Sequence, residues 1–248
     1  MILFPNAKIN IGLDIISKKD DGYHKISSVL YPVITYSDIL EITKQQYFSF
    51  KRTGIEIPEG ENLCEKAFHL LKQDFSISNV GIHLHKQIPI GSGLGGGSAD
   101  AAFTLKGLND LFTLGISSKR LEKYALQLGA DCPFFIENTP KYVEGIGESM
   151  TNIDLDLSTF KIRFVHPKIH ISTVDAYSGV TPHTPQILLR ELIKMPIQDW
   201  REEIENDFEE NIFEEYPKLQ SIKKQLYIDG AIYVSMTGSG STIYGIFR

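Results

Sequence analysis

The sequence has 248 residues, a formal net charge of −6 and 42% hydrophobic residues. These values predict a globular protein with one large or two small domains and a substantial core. The net negative charge gives no overall attraction for nucleic acid or an anionic membrane, and we expect neither partner.

The N-terminus lacks a signal peptide and no stretch is long enough to span a bilayer, so we expect a cytoplasmic protein. Cys64 and Cys132 have no metal or redox spacing and are expected to be reduced and buried.

The first polar residues of interest lie on a predicted strand. Residues 8 to 15 alternate between apolar and polar side chains, which predicts a half-buried strand with Lys8 and Asn10 on its polar face. A lysine on such a face is usually solvated, so this segment alone assigns it no function.

Strands and one helix are predicted next along the chain. Asp20-Asp21-Gly22 predicts a turn, and Tyr23-His24 begins the following apolar run. Strands are predicted at residues 39–43, 47–51 and 80–87, and a helix at 61–75. The last strand carries His83 and His85 on one face, which predicts a solvated pair rather than a metal site.

Glycines dominate the segment that follows this strand. Five of the fourteen residues from Pro89 to Ala102 are glycine, which lets backbone N–H groups approach a ligand closely. Ser98 is predicted to cap a helix with apolar residues at helical spacing. A glycine loop that leads into a helix N-terminus predicts a phosphate-binding site. The alternative is a flexible linker, but linkers seldom lead into such a helix.

Two common nucleotide-binding patterns fit this loop poorly. A Walker A loop would need a lysine before Ser98, where the sequence has Gly97. Gly91, Gly93 and Gly96 match the G-x-G-x-x-G spacing of a dinucleotide fold, but the expected second strand with its acidic residue is missing. A nicotinamide-dependent oxidoreductase therefore remains only an alternative hypothesis.

The rest of the chain completes a first α+β half and predicts a second one beyond about residue 155. A helix capped by Ser117 or Ser118 runs to about Leu128, and Asp131 follows before an aromatic segment, where a turn role and catalysis are equally compatible. Strands are predicted at residues 142–146, 162–166, 231–235 and 242–247, with helices between about 171 and 228. A second glycine-rich turn spans residues 237–241.

Three motifs stand in a fixed order: Pro5-x-x-Lys8-x-Asn10, the loop at 89–102 and the turn at 236–241. This arrangement resembles the GHMP small-molecule kinases over nearly the whole chain. The resemblance implies an α+β, two-domain GHMP kinase fold. Its strand-rich N-terminal domain, with the phosphate loop, would span residues 1–155, and an α/β sandwich-like C-terminal domain residues 156–248.

Two further segments, Gly22-Tyr23-His24 and residues 129–135, are similar to members that phosphorylate the 2-hydroxyl of a cytidine diphosphate derivative of methylerythritol in isoprenoid precursor synthesis. The resemblance then implies that Asp131 is the catalytic base and that Lys8 orients the hydroxyl and stabilises negative charge. The implied ATP phosphate loop consists of Pro89, Ile90, Gly91, Ser92, Gly93, Leu94, Gly95, Gly96, Gly97, Ser98 and Ala99. The implied cofactors are ATP and the Mg²⁺ that accompanies it, with no metal site of side chains.

The same resemblance implies how the substrate is bound. Asn10 would contact the methylerythritol part, while Tyr23 and His24 would stack on cytosine and hydrogen-bond its polar edge. Tyr177 resembles the second aromatic plate over that ring. The expected state is a monomer or homodimer.

Two rival hypotheses within nucleotide binding remain. A homoserine or mevalonate kinase would lack the Gly22-Tyr23-His24 segment. A catalytically silent nucleotide-binding protein would not need both Lys8 and Asp131.

Overall fold

The chain contains both helices and strands, in a computed structural model that describes residues 1–57 and 60–248. The strands are β1 (Ile2–Leu3), β2 (Asn6–Lys18), β3 (His24–Ser37), β4 (Ile39–Lys44), β5 (Ser49–Gly54), β6 (Val80–Lys86), β7 (Lys141–Glu144), β8 (Ser149–Asn152), β9 (Lys161–Val165), β10 (Tyr233–Met236) and β11 (Ile243–Phe247). The helices are α1 (Leu63–Asp74), α2 (Gly96–Leu111), α3 (Ser118–Leu128), α4 (Phe134–Glu137), α5 (Thr173–Ser178), α6 (Leu189–Leu192), α7 (Trp200–Glu203), α8 (Phe208–Glu215) and α9 (Pro217–Ile228), with a 3-10 helix at Ile197–Asp199. The mixed content confirms the predicted α+β class.

The described residues form two compact units, each built from separate stretches of chain. The first unit comprises Met1–Lys8, Pro32–Ile90 and Gly95–Thr139. The second comprises Ile9–Tyr31, Gly91–Leu94 and Pro140–Arg248. The linear domain boundary near residue 155 stays a prediction.

The first unit packs helices on a mixed sheet of order β1-β4-β6-β5. β4 pairs with β6 antiparallel and β5 pairs with β6 in parallel. Helix α2 contacts α1, α3 and β4. Gly107 permits this close approach, because a Cβ there would lie 2.6 Å from Leu3 Cδ1 and 2.9 Å from Ile42 Cδ1. The glycine loop is therefore followed by a helix that is firmly packed on a sheet.

The second unit contains the sheet β10-β11-β9 and most of the sheet β2-β3-β7-β8, namely residues 9–18 of β2, residues 24–31 of β3, β7 and β8. β10 and β11 form an antiparallel hairpin, and β9 pairs with β11 on its other side. Helix α9 packs on β10 and β11. The buried core of this unit includes Leu13, Ile15, Phe208, Ile212, Leu226 and Met236. The second glycine-rich turn lies between β10 and β11, within this packed layer.

Strand β2 differs from the prediction in one respect. Lys8 is only 4% exposed and Asn10 only 6%, so the polar face is covered as well as the apolar face. The prediction of a half-buried strand is wrong because alternation gives the two faces of a strand but does not show what packs on the polar one. Within the described part of the chain, no helix has both the length and the apolar character needed to cross a membrane.

Candidate active site

The glycine loop ends where helix α2 begins. Gly91, Gly93 and Gly95 have φ values of 63°, 79° and 70°, a left-handed conformation that favours glycine. The helix starts at Gly96 after the N-cap Gly95, with no side-chain hydrogen bond at the cap. The prediction that Ser98 caps the helix is wrong, because the turn at Gly95 starts the helix earlier. The first amides of α2 are thus not occupied by a capping side chain and suit an anion.

Ser98 instead lies in the first turn of α2 and hydrogen-bonds the Cys132 thiol. Both Cys64 and Cys132 are free and buried, which confirms the prediction for the cysteines. Burial raises the pKa of Cys132 to about 11. The thiol beside the loop is therefore protonated at neutral pH.

Several loop glycines are needed for packing as well as for conformation. A Cβ on Gly93 would lie 2.0 Å from the carbonyl oxygen of Thr237. A Cβ on Gly95 would lie 3.0 Å from Lys8 Cγ and 3.1 Å from Phe135 Cζ. At Gly97, by contrast, the nearest atom to a Cβ is a side-chain methyl 3.7 Å away. The loop is therefore tightly enclosed at Gly93 and Gly95, whereas Gly91 and Gly97 are exposed.

The structure brings Lys8 and Asp131 together. Lys8 Nζ lies 3.7 Å from Asp131 Oδ2, and the two side chains are 5% and 45% exposed. Burial lowers the pKa of the Lys8 ammonium, and the charge and hydrogen bond of Asp131 act in the opposite direction. Since the Lys8 side chain also borders Gly95, this ion pair lies next to the N-terminus of α2.

Asn10 is held by side chains that sequence reasoning did not identify. Its side-chain amide donates to Ser28 Oγ at 2.9 Å, and Ser28 Oγ donates to the carbonyl oxygen of Gly12 at 2.7 Å. Its backbone N–H donates to Thr237 Oγ1 at 3.1 Å, and its carbonyl oxygen accepts from Tyr244 Oη at 2.8 Å. The position of Asn10 is therefore fixed through both its backbone and its side chain.

Thr237 also contacts the glycine loop. Its hydroxyl donates to the carbonyl oxygen of Gly93 at 3.1 Å. The backbone N–H of Thr242 donates to the carbonyl oxygen of Ser92 at 3.3 Å. In the sequence, these contacts of Thr237 are signalled only by the second glycine-rich turn, and no function was predicted for Thr237 itself.

The aromatic residues predicted to bind a base lie in the second unit. The rings of His24 and Tyr177 stack with centroids 4.7 Å apart and planes inclined by 18°. Tyr177 also meets Phe208 edge-on at 4.9 Å. Desolvation and the nearby Lys18 lower the pKa of His24, so the imidazole is neutral at physiological pH. Tyr23 is 62% exposed, and its ring is accessible for stacking.

The histidines of β6 have a structural partner. The hydroxyl of Thr53 lies 2.9 Å from His83 Nε2 and 2.9 Å from His85 Nδ1. Among residues 1–57 and 60–248, no three His, Cys, Asp or Glu side chains form a group that could hold a metal ion.

Two family models match this chain. The model for the GHMP kinases N terminal domain matches residues 62–138, which include the glycine loop and Asp131. The model for the GHMP kinases C terminal matches residues 188–248, which include Thr237. The class defined by the fold and the loop is therefore that of the GHMP kinases.

Individual relatives narrow this class. The 4-diphosphocytidyl-2-C-methyl-D-erythritol kinase of Bacteroides fragilis is 49% identical over all of this chain and 92% of its own length. The enzyme of the same name from Cytophaga hutchinsonii is 47% identical over all of this chain and 93% of its own. The chain belongs to the family of 4-diphosphocytidyl-2-C-methyl-D-erythritol kinases.

Solved structures agree with this assignment. A crystal structure of a 4-(cytidine 5'-diphospho)-2C-methyl-D-erythritol kinase has a TM-score of 0.87 and 29% identity, covering 99% of this chain and 90% of that one. The mevalonate kinase of Methanococcus jannaschii has a TM-score of 0.70 at 14% identity, covering 100% and 90%. The second likeness concerns the fold alone.

Proposed function

We propose that the protein transfers the γ-phosphoryl group of ATP to the 2-hydroxyl of 4-diphosphocytidyl-2-C-methyl-D-erythritol, in the methylerythritol phosphate route to isoprenoid precursors. The observation that carries the proposal is the Lys8–Asp131 pair, 3.7 Å apart, beside the start of α2. The full-length identity of 47–49% to enzymes of that name supports the same substrate. The proposal includes a cytoplasmic enzyme that is a monomer or homodimer.

ATP fits the loop of residues 89–99 on structural grounds. The left-handed glycines and the N-terminus of α2, without a side-chain cap, present backbone N–H groups of the kind that bind phosphate oxygens. Mg²⁺ bound to the nucleotide would neutralise charge on the phosphates. The described residues contain no group of three side chains that could hold a metal ion, so Mg²⁺ would be bound mainly through the phosphate oxygens of the nucleotide.

Phosphoryl transfer requires mainly positioning and electrostatic stabilisation from the protein. Asp131 accepts the proton of the substrate 2-hydroxyl as that oxygen forms a bond to the γ-phosphorus, and the bond between this phosphorus and the ADP oxygen breaks. Lys8 stabilises the negative charge that develops on the attacking oxygen. Its side chain is 5% exposed, and a charge shielded from water stabilises a nearby anion more strongly.

The cytidine end of the substrate would bind near Tyr23, His24 and Tyr177, with Asn10 on the methylerythritol part. His24 and Tyr177 are in direct stacking contact. A base inserted between them would need about twice the separation of one stacked pair, so this part of the proposal requires the two rings to separate when substrate binds. The exposed ring of Tyr23 offers another surface on which the cytosine base could stack.

The proposal is tested by following ATP consumption with the cytidine substrate, homoserine and mevalonate in parallel. We expect turnover with the cytidine substrate alone. Turnover of homoserine or mevalonate without turnover of the cytidine substrate would overturn the assignment.

A further inference from the structure

A buried cluster of three charged residues lies at the end of strand β6. Lys86 Nζ contacts Asp38 Oδ2 at 2.5 Å and Asp100 Oδ2 at 2.6 Å. All three residues are at most 3% exposed. Asp38 Oδ1 accepts the backbone N–H groups of Gln87 at 2.6 Å and Ile88 at 2.8 Å. Lys86 thus joins the β3–β4 connection to helix α2.

This cluster contacts the start of the phosphate loop helix. A Cβ on Gly96, the first residue of α2, would lie 2.9 Å from Lys86 Nζ. Asp100 follows Gly96 by four residues on the same helix, a separation of about 6 Å along the helix axis. The charge of this cluster therefore acts on the amides that are proposed to bind ATP.

The two carboxylates are not equally satisfied. Asp38 has hydrogen bonds on both oxygens, whereas Asp100 Oδ1 is buried and has no hydrogen-bond partner within the described residues. An unpaired buried carboxylate oxygen is unfavourable, and protonation relieves this cost. Burial, opposed by Lys86 and reinforced by Asp38, raises the pKa of Asp100 to about 8.

Other titratable groups in or beside the cluster have raised pKa values. Burial lowers the pKa of Lys86, but the charges and hydrogen bonds of Asp100 and Asp38 outweigh it and raise that pKa. The Cys64 thiol of α1 is buried, and its pKa is raised well above its ordinary range. Burial and Asp38 raise the pKa of Tyr36 on β3. Asp100, with its pKa of about 8, therefore changes protonation near pH 8.

We propose that Lys86, Asp38 and Asp100 form a positioning cluster for the ATP phosphate loop, in which Asp100 takes up a proton when the nucleotide phosphates bind. This inference rests on the proposed nucleotide site. The bound phosphates add negative charge at the N-terminus of α2. Protonation of Asp100 removes the repulsion between its carboxylate and these phosphates. Lys86 holds the helix start in place in both protonation states.

Proton uptake is measured by calorimetric titration of the protein with the Mg²⁺ complex of a non-hydrolysable ATP analogue at pH 8. The titration is made in two buffers of different ionisation enthalpy, and the difference in binding enthalpy gives the number of protons taken up. We expect uptake of a fraction of a proton by the wild type and none by Asp100→Asn. Asp110→Asn is the matched control, because Asp110 lies on the same helix, is exposed and receives the same substitution of Asp by Asn. This control should behave as the wild type does.

Lys8 is another buried group whose protonation could respond to phosphate, so Lys8→Met is titrated as well and should retain the uptake. No uptake in the wild type, or equal uptake in Asp100→Asn, would overturn the proposal. Because binding is measured without the cytidine substrate, failure of the nucleotide to bind at all would count against the proposed function instead.

The proposed role of Lys86 in positioning the phosphate loop is tested by a separate measurement. Lys86→Met should raise the dissociation constant of the ATP analogue about tenfold, the loss expected for a charge-assisted contact, with a smaller change in KM for the cytidine substrate. An unchanged dissociation constant in folded Lys86→Met would overturn this role. If that variant does not fold, the proton-uptake comparison with Asp100→Asn decides the proposal.

Discussion

Asn10 and Thr237 are 227 residues apart in sequence, and the backbone N–H of Asn10 donates to Thr237 Oγ1 at 3.1 Å. The same hydroxyl donates to Gly93 in the glycine loop. One side chain therefore supports both the strand that carries Asn10 and the first half of the loop.

Thr237→Val keeps the shape of the side chain but removes its hydroxyl, leaving the buried N–H of Asn10 without this acceptor. We expect kcat/KM for the cytidine substrate to fall about tenfold, equivalent to about 1.4 kcal/mol. Thr237→Ser keeps the hydroxyl and should restore most of the activity. Steady-state kinetics of the two variants, compared at equal folded fraction, check this, and equal losses would show that the methyl group matters rather than the hydrogen bonds.

Asp131→Asn keeps the size of the side chain and removes the proposed base. We expect kcat to fall by about 10²- to 10⁴-fold with little change in KM for ATP. Asp154→Asn, at an exposed position, is the control and should keep wild-type kinetics. Near-normal turnover by Asp131→Asn would contradict the mechanism.

Lys8→Ala should also lower kcat strongly. Because Lys8 and Asp131 are proposed to act on the same oxygen, the double variant should lose much less than the product of the two single losses. A double-mutant cycle in kcat measures this, and fully multiplicative losses would show that the two residues act independently.

His24 stacks on Tyr177, and its ring is proposed to read the polar edge of cytosine. His24→Ala should raise KM for the cytidine substrate much more than KM for ATP, since it removes binding shared by the ground and transition states. His24→Phe retains a ring for the stack and should raise the same KM with a smaller loss of thermal stability. An equal rise in both KM values would instead indicate a structural role.

Gly97 and Gly96 differ in the space around them. Gly97 is exposed and a Cβ there has 3.7 Å of clearance, whereas one on Gly96 would lie 2.8 Å from Ile88 Cγ2. Gly97→Val should weaken ATP binding with little loss of thermal stability, and Gly97→Ala should do so less. Gly96→Val should lower the melting temperature as well. Calorimetry and thermal unfolding separate these effects, and wild-type ATP affinity in Gly97→Val would argue against phosphate binding at this turn.

Asp100 makes folding stability depend on pH. Its pKa is about 8 in the folded protein against an ordinary value of 3.8, so between these values the folded state binds more protons than the unfolded state. The stability of the wild type relative to Asp100→Asn should therefore fall from about pH 4 to pH 8 and then stay constant. Urea unfolding at pH 6 and pH 9 measures this, with Asp110→Asn as the control. A pH-independent difference would mean that Asp100 is ionised throughout.

The parts of the fold with local patterns were predictable from the sequence. The observed β6 and α3 lie within a residue or two of the predicted positions, because periodicity and end signals are local. The start of α2 was misplaced, since Ser98 is a good capping residue but the left-handed turn at Gly95 decides where the helix begins. Lys8 and Asp131 were predicted to meet from the resemblance of their motifs, whereas composition alone could not pair residues so far apart.

The remaining site features depend on partners that no local pattern identifies. The contacts of Thr237 with Asn10 and Gly93 require three distant segments to be assembled. The bond between Lys86 and Asp100 joins a strand end to a helix face, and the sequence shows neither its burial nor the unpaired oxygen. Contacts of this kind can be identified only from the folded structure, in which the backbone brings the side chains together.

Cys132 follows Asp131 directly in the chain, is fully buried and is hydrogen-bonded to Ser98 in the first turn of α2. Burial keeps it in the poorly nucleophilic thiol form. An alkylating reagent can therefore reach and react with this sulfur only during transient local opening of the segment around Asp131. The rate at which Cys132 is alkylated therefore reports how often this segment opens. No additional probe has to be introduced into the protein.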